Sequence, residues 1–213
     1  MKSQALTDAT AELYCDFMEE IKRRTSVIDD ILNSKFALPM IVAVEFCYLE
    51  LRFICELIAL ASLTAHGDIP GAKAKRLTRA YQADNILRML EGLHPKFYPT
   101  PGRQVRNDKG QVAEIEKVTA PYLTKPELQK LYVECGSFLH RGSLENVVKG
   151  KKLPTFDHLR VWINKVRTLL NHHQIQLADP EWQLWVIMQS NVDGKVHSYQ
   201  MLRIKAAPTS NSI

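Results

Sequence analysis

Charged residues interrupt a long apolar segment in the first third of the chain, and their spacing could build a polar site. Glu45, Arg52 and Glu56 are seven and four residues apart, so they lie along one face of a helix. Tyr48 falls between them on the same face. Since an unpaired buried charge is costly, we predict an Arg52–Glu56 ion pair with Glu45 nearby.

A second set of polar residues, in the segment LYVECGSFLHRGSL, could meet this stripe. Tyr132, Gly136 and His140 recur every fourth residue and so share a helical face. A glycine in mid-helix costs about 1 kcal/mol relative to alanine, which makes sense if another element approaches closely there. His140 and Arg141 then end the helix, beside its terminal carbonyl groups.

Two interpretations of these residues stay open. In the first, they form a polar network that fixes the register of packed helices. In the second, they form a binding site, because ionisable groups with shifted pKa values cluster at functional sites as well as in structural networks. The binding-site hypothesis uses these residues: Glu45, Tyr48, Arg52, Glu56, Tyr132, His140 and Arg141.

The apolar segment itself predicts a long central helix over 38–66, with Pro39 in its first turn and Gly67 at its end. Its charges would each cost roughly 2.5–3.5 kcal/mol near the centre of a bilayer, so we expect no membrane span. The helix is apolar on nearly all sides, so neighbouring helices must cover it. We therefore predict a mainly α fold, a helical bundle around this helix.

The other elements follow from periodicity, capping and turn residues. Small β-hairpins are expected near 103–118 and 182–204. Further helices are predicted over 4–24 (with a short continuation to 32), 72–91, 125–140 and 156–177. The predicted domains are a helical domain over 1–177 with a hairpin insertion at 95–123, a C-terminal hairpin appendage over 178–205, and a disordered tail over 206–213.

Composition restricts the function further. The chain has 213 residues, a formal net charge of +5 and four cysteines without a CxxC pair. Free buried thiols and the lack of a signal peptide indicate a cytoplasmic protein. No nucleotide-binding, hydrolase or metal motif occurs, so we expect no cofactor and no metal.

Two stretches resemble an uncharacterised family of bacterial and prophage proteins: YLELRFICELIALASLTAHGDIP with the later LEGLHPKFYP, and ELQKLYVECGSFLHRGSL. The resemblance covers most of residues 40–145 and implies a prokaryotic setting. The helical layout with a Tyr-x-x-Cys-Gly-x-x-x-His helix is also remotely similar to HEPN-like domains. Many of those cleave RNA in toxin–antitoxin and anti-phage systems, and others only bind.

The active HEPN-like domains carry an arginine followed a few residues later by a histidine, and two protomers bring these together to promote attack of an RNA 2′-hydroxyl. The resemblance implies Arg167 and His172 as catalytic residues here, late on the 156–177 helix, with His173 as a neighbour. Arg88 and His94 also match the spacing. A polar residue usually follows the family's arginine; Thr168 follows Arg167, whereas Met89 follows Arg88.

Two functions remain, and whether the protein is an enzyme stays open. The first is a non-catalytic binding or regulatory protein of a bacterial or prophage system that forms a homo-oligomer or binds a protein partner. The alternative is a HEPN-like protein that cleaves or binds RNA, for which the basic segments AKAKRLTRA, RQVRNDK and VKGKKL could attract phosphate.

Overall fold

The computed structural model of the protein describes residues 5–69, 71–72, 79–109, 112–140 and 154–203. The fold is mainly α-helical, as predicted, with a small antiparallel sheet. The described helices are α1 (Asp8–Leu32), α2 (Met40–Ala65), α3 (Ala83–Leu93), α4 (Lys125–Leu139) and α5 (Phe156–Leu170). The described strands are β1 (Thr100–Arg106), β2 (Val112–Lys117), β3 (His172–Gln176), β4 (Trp182–Ile187) and β5 (His197–Leu202).

The long helix predicted over 38–66 is α2, which begins after Pro39 and ends at Ala65. It packs against α1, α3, α4 and α5. Small residues such as Ala59 and Ala61 are fully buried along it and let these neighbours approach. None of the described helices is both long enough and apolar enough to cross a membrane.

Three helix boundaries differ from the prediction. The two helices expected over 4–32 are one helix, α1, which starts where the Thr7 hydroxyl accepts a hydrogen bond from the Thr10 N–H. No Gly or Pro interrupts it, so it continues through Thr25. The predicted 72–91 helix begins only at Ala83 and continues past Gly92 to Leu93; residues 73–78 lie outside the described part.

The helix predicted over 156–177 ends at Leu170, and this expectation was wrong for its last turns. His172–Gln176 forms β3 instead, because hydrogen bonding to β4 and β1 replaces continued helical bonding. The helix begins as expected, with the Thr155 hydroxyl accepting from the His158 N–H. A capping box formed by Thr124 and Glu127 starts α4.

Both predicted hairpins are present, as β1–β2 and β4–β5, and β3 joins them into one sheet of order β2-β1-β3-β4-β5. The join is short: β1 pairs with β3 only at Thr100↔Gln174 and Pro101↔His173. Apolar residues of the sheet, including Ile175, Leu184 and Val186, belong to the same core as the helices. The division into domains stays a prediction, and residues 206–213 lie outside the described part.

Candidate functional site

The predicted contact between the two polar faces exists, and α2 and α4 build it together. The Arg52 Nη2 atom donates to the Tyr132 hydroxyl at 3.0 Å, and that hydroxyl donates to Glu56 Oε1 at 3.0 Å. The Arg52 guanidinium lies 4.5 Å from the centre of the Tyr132 ring, and its Nε is 3.4 Å from the Glu56 carboxylate. The predicted Arg52–Glu56 pair is therefore confirmed. We call Arg52, Glu56, Tyr132 and Gly136 the Arg52 cluster.

Gly136 has the role that its position in mid-helix suggested. A Cβ atom added there would lie 3.2 Å from Arg52 Nη1, so the missing side chain makes room for the guanidinium. Burial, and then the hydrogen bond to Glu56, raise the pKa of Tyr132 to about 12. The side chains of Arg52 and Glu56 remain 28% and 21% exposed, so the cluster lies at the edge of the core rather than inside it.

Tyr48 belongs to a separate network. Its buried hydroxyl donates to Glu134 Oε1 at 2.5 Å, and the same oxygen lies 2.7 Å from His158 Nε2. The Trp162 indole lies 3.1 Å from that His158 nitrogen. The sequence did not point to Glu134, although it follows Tyr132 by two residues. Glu45 is half-buried and makes no hydrogen bond or ion pair within the described residues.

Glu50 points away from the stripe and pairs with α1. Its buried carboxylate accepts from Arg24 Nη1 at 2.8 Å, and Arg24 also pairs with Glu20. The Arg24 guanidinium lies 4.4 Å from the centre of the Phe53 ring. The sequence signal that could have found this pair is the acid itself, because a carboxylate on a buried helix needs a cation from a neighbour.

His140 is not joined to the Arg52 cluster by any hydrogen bond or ion pair that the structure describes. It is the C-cap residue of α4 and is exposed, and its backbone N–H donates to the Gly136 carbonyl. Arg141 lies outside the described residues. The binding constellation is therefore assembled in part: Arg52, Glu56 and Tyr132 meet.

Arg167 and His172, the predicted catalytic pair, line two adjoining cavities. Arg167 is in the last turn of α5 and pairs with Asp29 of α1. His172 was expected late on a helix, but it is the first residue of β3. Its ring packs edge-on against Trp185. His172 is only 6% exposed, and neither ring nitrogen has a hydrogen-bond partner of normal geometry among the described residues.

The two cavities adjoin at shared lining residues, and we call them together the α5–β3 groove. Their volumes are about 420 and 1060 Å³. Arg167 lines the first, His172 lines the second, and three residues line both: Thr168, Asn171 and Gln189. Burial lowers the pKa of His172, and the nearby Gly102 backbone opposes this only in part, so the ring is neutral at pH 7.

His173, beside it on β3, has a structural role. Its Nδ1 lies 2.8 Å from the Leu170 carbonyl, which can only accept, so Nδ1 carries the proton. Its Nε2 then accepts from the Tyr14 hydroxyl at 2.7 Å. The ring is fully buried, and burial lowers the pKa of His173 to about 4. Both polar atoms are satisfied, which locks β3 to α1.

A second buried histidine ties α2 to the sheet. His66 Nδ1 lies 2.7 Å from the Ser62 carbonyl and His66 Nε2 lies 3.0 Å from the Gln176 carbonyl. His94 Nε2 contacts the same Gln176 oxygen at 3.0 Å. Burial lowers the pKa of His66.

Within the described residues, no group of three or more His, Cys, Asp or Glu side chains could hold a metal ion.

Exposed apolar side chains are concentrated around the start of α2, and the sequence did not predict this. Among the described residues, sixteen large apolar side chains are exposed, and six of them fall between residues 36 and 46. We call these six the α2 apolar face: Phe36, Leu38, Met40, Ile41, Val42 and Phe46. Each is 37–54% exposed, whereas the remaining ten are scattered over the other elements.

A comparison of the chain with protein-family models, with curated proteins and with solved structures finds no match. A functional conclusion therefore rests on the residues described above.

Proposed function

We propose that this is a non-catalytic binding or regulatory protein of a bacterial or prophage system that acts as a self-associated assembly. The observation that carries the proposal is the α2 apolar face. Single exposed apolar residues are ordinary on protein surfaces, but a contiguous apolar patch marks an interaction site. Here six exposed apolar residues are concentrated within eleven positions of the chain, two of them before α2 and four in its first turns.

A second copy of the chain suits this face in size. Six side chains, each about half exposed, present roughly 500 Å² of apolar surface if a large apolar side chain contributes up to ~200 Å². A standard interface buries about 800 Å² on each partner, so the face supplies the greater part of one interface core. An isologous dimer would bring the same face of both copies together.

In this proposal α2 is the central helix of the bundle and has two roles along its length. Its C-terminal half is covered by the protein's own helices, and its first turns are left for the second copy. The Arg52 cluster lies just beyond the apolar face, and its hydrogen bonds and ion pair fix α2 relative to α4. A rigid face lowers the entropic cost of association.

Matched substitutions test this function. Phe46→Glu places a charge in the proposed interface, and Leu13→Glu is the control, because both side chains are 46% exposed. Leu13 suits the control because it is far from the connection between α1 and α2: it lies nineteen residues before the end of α1, roughly 28 Å along the helix axis. We expect sedimentation velocity to show a dimer or larger assembly for the native protein and for Leu13→Glu, and a monomer for Phe46→Glu. A native protein that stays monomeric at high concentration would contradict the proposal.

A further inference from the structure

The α5–β3 groove forms where the sheet divides. Pairing between β1 and β3 ends at Pro101↔His173, and from Gly102 onward the described pairing of β1 is with β2. The last turn of α5 and the segment after β4 border the space that remains. A side chain at position 102 would meet Ile115 at 2.8 Å, so glycine lets β1 pass close to His172.

The groove contains polar groups that nothing in the described protein satisfies. His172 is more than nine-tenths buried, and neither of its ring nitrogens has a hydrogen-bond partner of normal geometry among the described residues. Arg167 makes its two hydrogen bonds, to Asp29 and Thr25, through Nη2 alone, which leaves Nε and Nη1 for another acceptor. The side-chain amides of Asn171 and Gln189 also make no hydrogen bond within the described residues.

The charges around the groove are of one sign. Lys22, Arg103 and Arg167 line it, whereas none of the described lining residues is an Asp or a Glu. The carboxylates that pair with these cations lie outside the lining: Glu19, Glu116 and Asp29. All charged side chains among the described lining residues are cationic, so an anion complements the groove better than a cationic molecule.

We propose that the α5–β3 groove binds a small molecule that carries an oxyanion, a phosphate ester or a carboxylate, held by Arg167, Asn171 and Gln189 with His172 at its base. The cavity of about 420 Å³ that Arg167 lines suits this class in volume, since small-molecule pockets measure about 300–1,000 Å³. The guanidinium offers separate N–H groups from Nε and Nη1 to the oxyanion.

This inference is independent of self-association, since the groove and the α2 apolar face share no residue. Its test uses the full-length protein at constant ionic strength, titrated with inorganic phosphate, with citrate and with a short single-stranded RNA. The readout is the NMR signal of the His172 ring, assigned by its loss in His172→Phe. Three variants accompany it: Arg167→Gln, Gln189→Glu, and Arg88→Gln as the control, which removes an arginine paired with Asp84 on α3.

We expect phosphate or citrate to shift the His172 signals in a saturable way. Arg167→Gln should weaken binding about tenfold, because a charge-assisted hydrogen bond is lost. Gln189→Glu, at an exposed position that the fold tolerates, should weaken it more by adding a negative charge. Arg88→Gln should stay within about twofold, since remote surface charges are screened. An equal loss in Arg88→Gln, unchanged His172 signals, or a response to RNA alone would overturn the proposal.

Discussion

The effect of Gly136→Ala on the free energy of unfolding should change sign when Arg52 is replaced. Alanine is about 1 kcal/mol better than glycine in a helix interior. At position 136 its methyl group would lie 3.2 Å from Arg52 Nη1, so the guanidinium must move. Moving it disrupts the 3.0 Å bond to Tyr132. A hydrogen bond to a charged group contributes about 1.5–3 kcal/mol, and partial exposure reduces this to roughly 1–2 kcal/mol.

Gly136→Ala should therefore destabilise the native protein by up to about 1 kcal/mol and stabilise the Arg52→Ala variant by about 1 kcal/mol. Urea unfolding of the four proteins of this cycle measures both free energies of unfolding and their difference, which we expect to be roughly 1–2 kcal/mol. If Gly136→Ala stabilises both backgrounds equally, the guanidinium does not lie against Gly136, and the Arg52 cluster as described is wrong.

Three further predictions concern the buried histidines and the groove. Burial favours the neutral ring of His173 in the folded state. Its contribution to the free energy of unfolding is therefore complete above its unfolded pKa of 6.5 and is lost as the pH falls toward its folded pKa of about 4. Unfolding followed between pH 7 and 4 should show a loss of about 3 kcal/mol, and His173→Gln should flatten this slope. Tyr14→Phe leaves His173 Nε2 without its donor and should cost about 1–3 kcal/mol in the same assay at pH 7, where an unchanged stability would exclude the bond. We expect incubation with total RNA to give no cleavage that depends on Arg167 and His172, because the ring nitrogens of His172 are shielded from solvent. Cleavage that Arg167→Ala and His172→Ala both abolish would establish the HEPN-like alternative.

Local spacing predicted the parts of the site that lie within one helix. Arg52 and Glu56 are one turn apart, so their pairing follows from helix geometry. Gly136 indicated that another group approaches the helix closely, but it did not identify that group. The partners of Tyr48 and Glu50 could not be read in this way. Glu134 and Arg24 come from other helices, and which of their faces turn inward depends on packing rather than on sequence distance.

The strand at His172 was missed for the same reason. HHQIQ follows a helical pattern without a Gly or Pro to stop it, and its pairing with β1 joins residues about seventy positions apart. The α2 apolar face was missed for a different reason. A helix that is apolar on all sides predicts burial on all sides, but the neighbouring elements cover only part of α2 and leave Met40, Ile41 and Phe46 exposed.

Crosslinking from the centre of the α2 apolar face tests the central claim most directly. A photoreactive benzophenone amino acid at position 46 would be activated in a mixture of ¹⁵N-labelled and unlabelled protein, and mass spectrometry would identify the crosslinked peptides. Self-association through this face predicts mixed-isotope crosslinks between position 46 and residues 36–46 of the second copy. Crosslinks confined to single-isotope peptides, or mixed crosslinks to a different surface, would contradict it.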